Sequence, residues 1–294
     1  MPRDSQSRSL QLIAIVGCQR SGTTLTGHIL GAHPRAALLD EEDGLYDWFR
    51  AAAAGDADGG ARFERLLALA ARKYAEPATR FISMGEHRAR LAPGVTRLIL
   101  KAPNLTYDWT ALADRPEPTR IVYPVRDPRA VSASMARLSH IDFIANQLEL
   151  LDAHPQTASE FSAERACLAD ASLSPAARRA IIWRLKSGLA HKFEACGLSV
   201  FRFRYEDLVA APDRLARRLA EFAGLTFDPS MLDLAKAYVG MDHGGTDRTR
   251  KISPRPAPRP DVRADAEVLA HAGPLASRLG YAEADAAGPV RADA

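Results

Sequence analysis

The chain has 294 residues, 47% of them hydrophobic, and carries a formal net charge of +3. This is the composition of a soluble globular chain that can bury a large core, as one large domain or two small ones. The mild basic excess suits a small anionic ligand and is too slight to argue for nucleic acid, and three scattered cysteines (Cys18, Cys167, Cys196) cannot complete a disulfide framework and predict thiols in a reducing compartment.

Residues 10–16 form a short, β-branched apolar run that ends at Gly17, the signal of a buried parallel strand. The run is too short for a secretory h-region followed by a cleavage site, and nowhere does an apolar stretch reach the roughly 18 residues of a membrane span. The expected location is therefore the cytoplasm, with no membrane partner. A Gly-containing loop follows. Helical spacing then covers 24–32, with Leu25, Ile29 and Leu30 on one side and Gly31 and Pro34 as the stop.

Two helices are predicted over 45–54 and 62–74, parted by a Gly- and Asp-rich stretch at 55–60. Strand signals recur at 97–100, 120–125 and 198–203, each followed by a polar cluster: Lys101-Ala-Pro, Arg126-Asp-Pro-Arg and Arg204-Tyr-Glu-Asp. Pro128 opens a helix over 129–138, and Pro175 opens one that runs to about 195. The stretch 140–174 leans helical without a clear period. Further helices are predicted over 212–223, 229–238 and 265–279, with a Gly-, Pro- and Arg-rich loop at 241–263. The ends, 1–9 and 282–294, read as flexible.

Strands alternating with helices predict an α/β fold, P-loop-like and three-layered, with a central parallel sheet flanked by helices. We expect one domain over 10–281. In such sheets ligands bind outside the carboxyl ends of the strands, so the polar clusters there are the places to look for chemistry.

The first of them is Gly17-Cys18-Gln19-Arg20-Ser21-Gly22-Thr23-Thr24. It keeps the spacing of an ATP-binding loop, G-x-x-x-x-G-K-[ST], but Thr23 stands where the lysine belongs. Loop amides and a helix N-terminus can still cradle an anion, and Arg20 supplies a planar fork for phosphate or sulfate oxygens.

At this point the sequence resembles the sulfotransferases that use 3'-phosphoadenosine-5'-phosphosulfate. The string from Gly17 to Leu25 is similar to their 5'-phosphosulfate loop. Gly31-Ala-His33-Pro34 and the acids Asp40-Glu41-Glu42 continue the likeness, in a layout nearest to the protein-tyrosine sulfotransferase type and its bacterial relatives. The resemblance implies that Gln19, Arg20, Ser21, Gly22, Thr23 and Thr24 bind the 5'-phosphosulfate. It also implies that Arg126 and Ser134 hold the 3'-phosphate. Tyr205, in Arg204-Tyr-Glu-Asp-Leu208, matches a family signature near the adenine. Arg250 and Lys251 are placed in the donor-covering loop, which matches the family less well. Arg137 and Leu138 stand where an additional basic residue is common.

By the same resemblance Glu41 is the general base, with Glu42 or Asp40 as the alternatives, and Lys101 and Arg20 stabilise the leaving group. Sulfuryl transfer, like phosphoryl transfer, depends on positioning and electrostatics. No metal is expected, since no H-E-x-x-H or Cys/His cluster is present. The product would be adenosine 3',5'-bisphosphate. The acceptor would be a small hydroxyl or amine compound sooner than a peptide, and a homodimer is compatible with the sequence. A P-loop kinase or NTPase, and a nucleotide-binding protein without catalysis, are the rival readings. Arg129, at a helix start, is as well explained by pairing with an acid. His33 is read as part of the helix stop with Pro34.

Overall fold

The computed structural model describes residues 11–40, 95–114, 119–233 and 262–281. The predicted helices over 45–54 and 62–74 lie outside these, as do Glu41, Glu42, Arg250 and Lys251. The chain divides into two compact units, Met1–Arg126 with Leu189–Pro256 and Asp127–Gly188 with Ala257–Ala294.

The first unit is built on a five-stranded parallel sheet of order β2-β3-β1-β4-β5. Its strands are β1 (Gln11–Ile15), β2 (Ala36–Asp40), β3 (Arg97–Lys101), β4 (Thr119–Val125) and β5 (Ser199–Arg204). β1 is the most apolar and lies centrally, hydrogen-bonded to β3 and β4, with Ile13, Ala14 and Ile15 fully buried. That is why its sequence is a continuous apolar run and not an alternation. Pro124 lies inside β4 yet disturbs no β1 pairing, because that ladder ends at Ile15↔Val122.

Side chains alternate across the sheet. Ile13, Ile15, Ile99 and Val122 face a core closed by α1 (Thr23–Gly31) and a later helix, Pro212–Phe222. Tyr123 points to the other face, where its ring meets Phe193 edge-on at 6.1 Å. Phe193 belongs to the short helix Ala190–Ala195. Helices therefore cover both faces, as the α/β reading expects. β2 was not among the expected strands. Its apolar part, Ala36-Ala-Leu-Leu39, is only four residues long and follows directly on a helix stop.

In chain order the remaining helices are α2 (Trp109–Ala113), α3 (Pro128–Ala136), α4 (Phe143–Asp152), α5 (Pro155–Glu160), α6 (Ser162–Ala169), α7 (Pro175–Gly188), α8 (Ala190–Ala195), α9 (Tyr205–Ala210), α10 (Pro212–Phe222), α11 (Val262–Ala272) and α12 (Pro274–Arg278). The single helix expected over 175–195 is two, α7 and α8, broken at Leu189 after Gly188. The expected helix 265–279 is also two, because Gly273 turns left-handed (φ 62) before Pro274. The helix expected from 229 is a 3-10 turn, Pro229–Leu232, and the rest of that stretch lies outside the described residues.

α10 is strongly amphipathic. Leu215, Ala216, Leu219 and Ala220 are buried, while Arg214, Arg217 and Arg218 are exposed. Its carboxyl end is met by two arginines from the starts of strands. Arg97 donates to the Ala223 and Gly224 carbonyls at 2.5 and 2.9 Å, and Arg120 to the Phe222 carbonyl. Cations there satisfy orphan carbonyls and oppose the helix dipole.

The second unit is helical. α7 packs against α3, α6 and α11, with Trp183 buried edge-on to Tyr281 at 6.3 Å. Arg184 ties α11 to α6 through the His271 carbonyl at 3.0 Å and Glu164 at 3.3 Å. Among the described residues no helix is long and apolar enough to cross a membrane.

Candidate active site

The loop after β1 leaves the sheet at its carboxyl edge and passes through positive-φ backbone three times, first at Gly17 (φ 117). Arg20 takes φ 67, the only positive φ outside glycine among the described residues, and Gly22 takes φ 91. A non-glycine residue pays strain for that conformation, and such strain collects at functional sites. Gly22 has a second constraint. A Cβ there would lie 2.3 Å from Tyr205 Cδ2, so only glycine lets the ring approach.

α1 begins at Thr23 with no side-chain cap and no acid in its first turn. Its amino end therefore keeps the character of an anion site. The Ser21 hydroxyl is buried and has no hydrogen-bond partner among the described residues. A buried hydroxyl left so is costly unless a ligand meets it.

Arg126 follows β4, on the other side of the loop. It donates to the Arg20 carbonyl at 3.1 Å, and its guanidinium lies 4.5 Å over the Tyr205 ring. Tyr205 opens α9, directly after β5. Three segments far apart in sequence thus meet: the loop, the end of β4 and the end of β5. Stacking and the carbonyl contact orient the Arg126 fork. Tyr123, packed beneath Gly17 and fully buried, has its phenol pushed well above the ordinary value, chiefly by burial.

Lys101 is the last residue of β3 and is 3% exposed. It is paired in register with Ile15 of β1 and with Asp40 of β2. β2 therefore ends at Asp40, level with Lys101 on β3 and with Ile15 on the central strand, two residues before Gly17. α1 approaches this point closely because residue 27 is glycine: a Cβ there would lie 3.3 Å from both Lys101 Cβ and Leu38 Cδ1.

Two residues outside the motifs also touch the loop. Thr106 accepts from the Gly17 amide at 2.7 Å, and Asn104 accepts from the Gln19 side chain. Both lie in the 3-10 turn Pro103–Tyr107, immediately after Lys101-Ala. The only signal for them was that proximity. The Gln19 amide is turned to Asn104, so its side chain ties the loop to the 3-10 turn.

Other expectations resolve plainly. Arg129 forms a paired contact with Asp127, the shortest distance being 2.6 Å, and this hydrogen bonding raises its pKa. His33 accepts from the Arg35 amide at 3.0 Å on Nδ1 and bonds the Thr226 carbonyl at 2.9 Å through Nε2, which fixes the stop after α1. Ser134 lies buried in α3, in the second unit. Among the described residues no group of three or more His, Cys, Asp or Glu side chains converges as metal ligands do.

The family model described as "Sulfotransferase family" matches residues 12–229. The chain belongs to the sulfotransferase family. The matched stretch spans the phosphate loop, Lys101, Arg126 and Tyr205, and the family's chemistry is sulfuryl transfer. Among solved structures, this sulfotransferase is similar to the sulfotransferase domain of the Synechococcus PCC 7002 olefin synthase, with 18% identity, 92% of this chain and 94% of that one covered, and a TM-score of 0.53. The sulfotransferase domain from the curacin biosynthetic pathway aligns at 19% identity over 94% of this chain and 99% of that one, with a TM-score of 0.49. A sulfotransferase from Alicyclobacillus acidocaldarius aligns at 13% identity over 91% and 93%, also at 0.49. The first of these agrees with the fold. No curated protein matches significantly. The finer likeness to the protein-tyrosine type rests on the motifs alone.

Proposed function

We propose that this sulfotransferase moves the sulfuryl group of 3'-phosphoadenosine-5'-phosphosulfate to a small hydroxyl or amine acceptor. The observation that carries the reading is the meeting of Arg20, Gly22, Arg126 and Tyr205 at the carboxyl edge of the sheet. A left-handed loop arginine, an uncapped helix start and the buried Ser21 hydroxyl suit a phosphosulfate. An arginine fork on an aromatic ring suits the 3'-phosphorylated nucleoside. Ser134 is assigned to the 3'-phosphate on its motif position only.

The reaction is an in-line displacement. The acceptor oxygen or nitrogen forms its bond to sulfur as the bond from sulfur to the 5'-phosphate oxygen breaks, which releases adenosine 3',5'-bisphosphate. Glu41 takes the acceptor proton; Asp40 and Glu42 are the neighbouring candidates. Lys101 and Arg20 meet the charge that develops on the leaving phosphate oxygen. Positioning at the ends of β1 and β3 supports these roles, since β1 carries the loop and β3 ends on Lys101.

Calorimetry with adenosine 3',5'-bisphosphate and with 5'-AMP tests the donor. We expect the bisphosphate to bind at least about tenfold more tightly, the effect of charge-assisted bonds to one additional phosphate. Labelled donor offered with phenols, sugars, amines and peptides then identifies the acceptor. Equal affinity for the two nucleotides, or transfer that instead needs Mg²⁺ and ATP, would overturn the reading.

A further inference from the structure

We propose that Thr106 is a positioning residue for sulfuryl transfer, whose buried hydroxyl locks the phosphate loop to the segment that carries Lys101. The inference deepens the proposed transfer reaction and rests on it.

The two groups assigned to the leaving oxygen, Arg20 and Lys101, stand on different segments. Arg20 is on a loop with strained backbone, and Lys101 is at a strand end before a short 3-10 turn. Regular structure ends at Lys101 on one segment and is absent from the loop on the other. Three ties fasten them at alternate residues along the chain. The Ala102 amide donates to the Ile15 carbonyl at 3.0 Å. The Gly17 amide donates to Thr106 Oγ1 at 2.7 Å, across 89 residues. The Gln19 side-chain amide donates to Asn104 Oδ1.

Thr106 is the central tie and is fully buried. Its oxygen accepts from the loop, while its proton has the Pro103 carbonyl at 2.6 Å and the Gly17 carbonyl at 3.2 Å as acceptors. One hydroxyl therefore closes its own turn and answers a buried main-chain amide that water does not reach. The same bond turns the Gly17 amide toward Thr106, which leaves the later loop amides and α1 to face an anion. In-line transfer depends on geometry, so a small drift between loop and lysine should cost turnover more than it costs nucleotide affinity.

The experiment compares wild type, Thr106→Val, Thr106→Ser and Asn104→Ala. It measures kcat and donor KM, bisphosphate affinity by calorimetry, and Tm. Valine keeps the volume and removes the hydroxyl, whereas serine keeps the hydroxyl. For Thr106→Val we expect kcat to fall roughly tenfold to a hundredfold while bisphosphate affinity stays within about threefold. Thr106→Ser should return kcat to within about threefold of wild type, and Asn104→Ala should show the same split at smaller size. A merely structural role would lower Tm and leave that split absent.

The proposal is overturned by a Thr106→Val enzyme with near-wild-type kcat, by equal losses in kcat and affinity, or by serine that fails to rescue. If Thr106→Val does not fold, Asn104→Ala decides: unchanged kcat overturns the proposal and a selective loss of kcat supports it. A wild-type protein that releases no bisphosphate with any acceptor fails the transfer reading itself. An active wild type with unaffected variants fails the brace alone.

Discussion

Both edges of the parallel sheet carry basic residues, and they use them in opposite ways. β3 begins with Arg97 and ends with Lys101; β4 has Arg120 at its second position and is followed by Arg126. At the amino edge, Arg97 and Arg120 are committed to carbonyls at the end of α10, and burial together with the neighbouring Arg120 and Arg35 charges lowers the Arg97 pKa. At the carboxyl edge, Arg126 lies on an aromatic ring and gives one nitrogen to the strained loop, while Lys101 is buried beside the end of the central strand. One edge uses cations to finish a helix. The other gathers cations where the loop between β1 and α1 leaves the sheet. The comparison teaches that a strand-end arginine says little until its hydrogen bonds are traced.

Substitutions at the two edges should separate these roles. The largest functional effect is expected from Arg126→Ala. The preference for adenosine 3',5'-bisphosphate over 5'-AMP should fall by about tenfold to a hundredfold, with little loss of Tm. Calorimetry on folded protein measures this directly, and an unchanged preference would erase the contrast. Arg97→Ala should do the reverse. It leaves the Ala223 and Gly224 carbonyls after α10 without their arginine donor, so denaturant unfolding should show a loss of about 1–3 kcal/mol while the nucleotide preference stays intact.

The smallest effect concerns acid. Asp228, on the segment after α10, has its pKa lowered by hydrogen bonds from the Ser230 hydroxyl and amide. A carboxylate with a depressed folded value contributes stability that is present above its ordinary value of 3.8 and is lost as pH falls through the lowered one. Wild type should therefore exceed Asp228→Asn in Tm near neutrality, and the gap should close as the buffer is taken below that value. A gap independent of pH would show that the charge has no part in it.

Much of this was legible in the chain. The apolar run into Gly17 is the central strand, because a strand buried on both faces must be apolar at every position. The loop string, the strand ends at Lys101 and Arg126, and the amphipathic α10 were likewise readable from local pattern. Other features were not. β2 is four apolar residues and an acid, too short for a period. The breaks at Leu189 and Gly273 do have local signals, Gly188 and the Gly273-Pro274 pair, which an apolar period running on through them hides. Arg129, by contrast, pairs with an acid as its place at a helix start suggests, and that acid is Asp127.

Local pattern alone carries the family, the parallel α/β fold and a Gly-x-x-x-x-Gly loop in which Thr23 stands at the ATP-site lysine position and Arg20 lies within the loop, since each is encoded in a continuous stretch. Only the tertiary structure decided how that loop is held. Its left-handed Arg20, the Gly22 that admits the Tyr205 ring, the Arg126 contact to the Arg20 carbonyl and the Thr106 tie to Gly17 join residues far apart in the chain. Such bonds depend on which strand ends the fold makes neighbours, and no local spacing announces them.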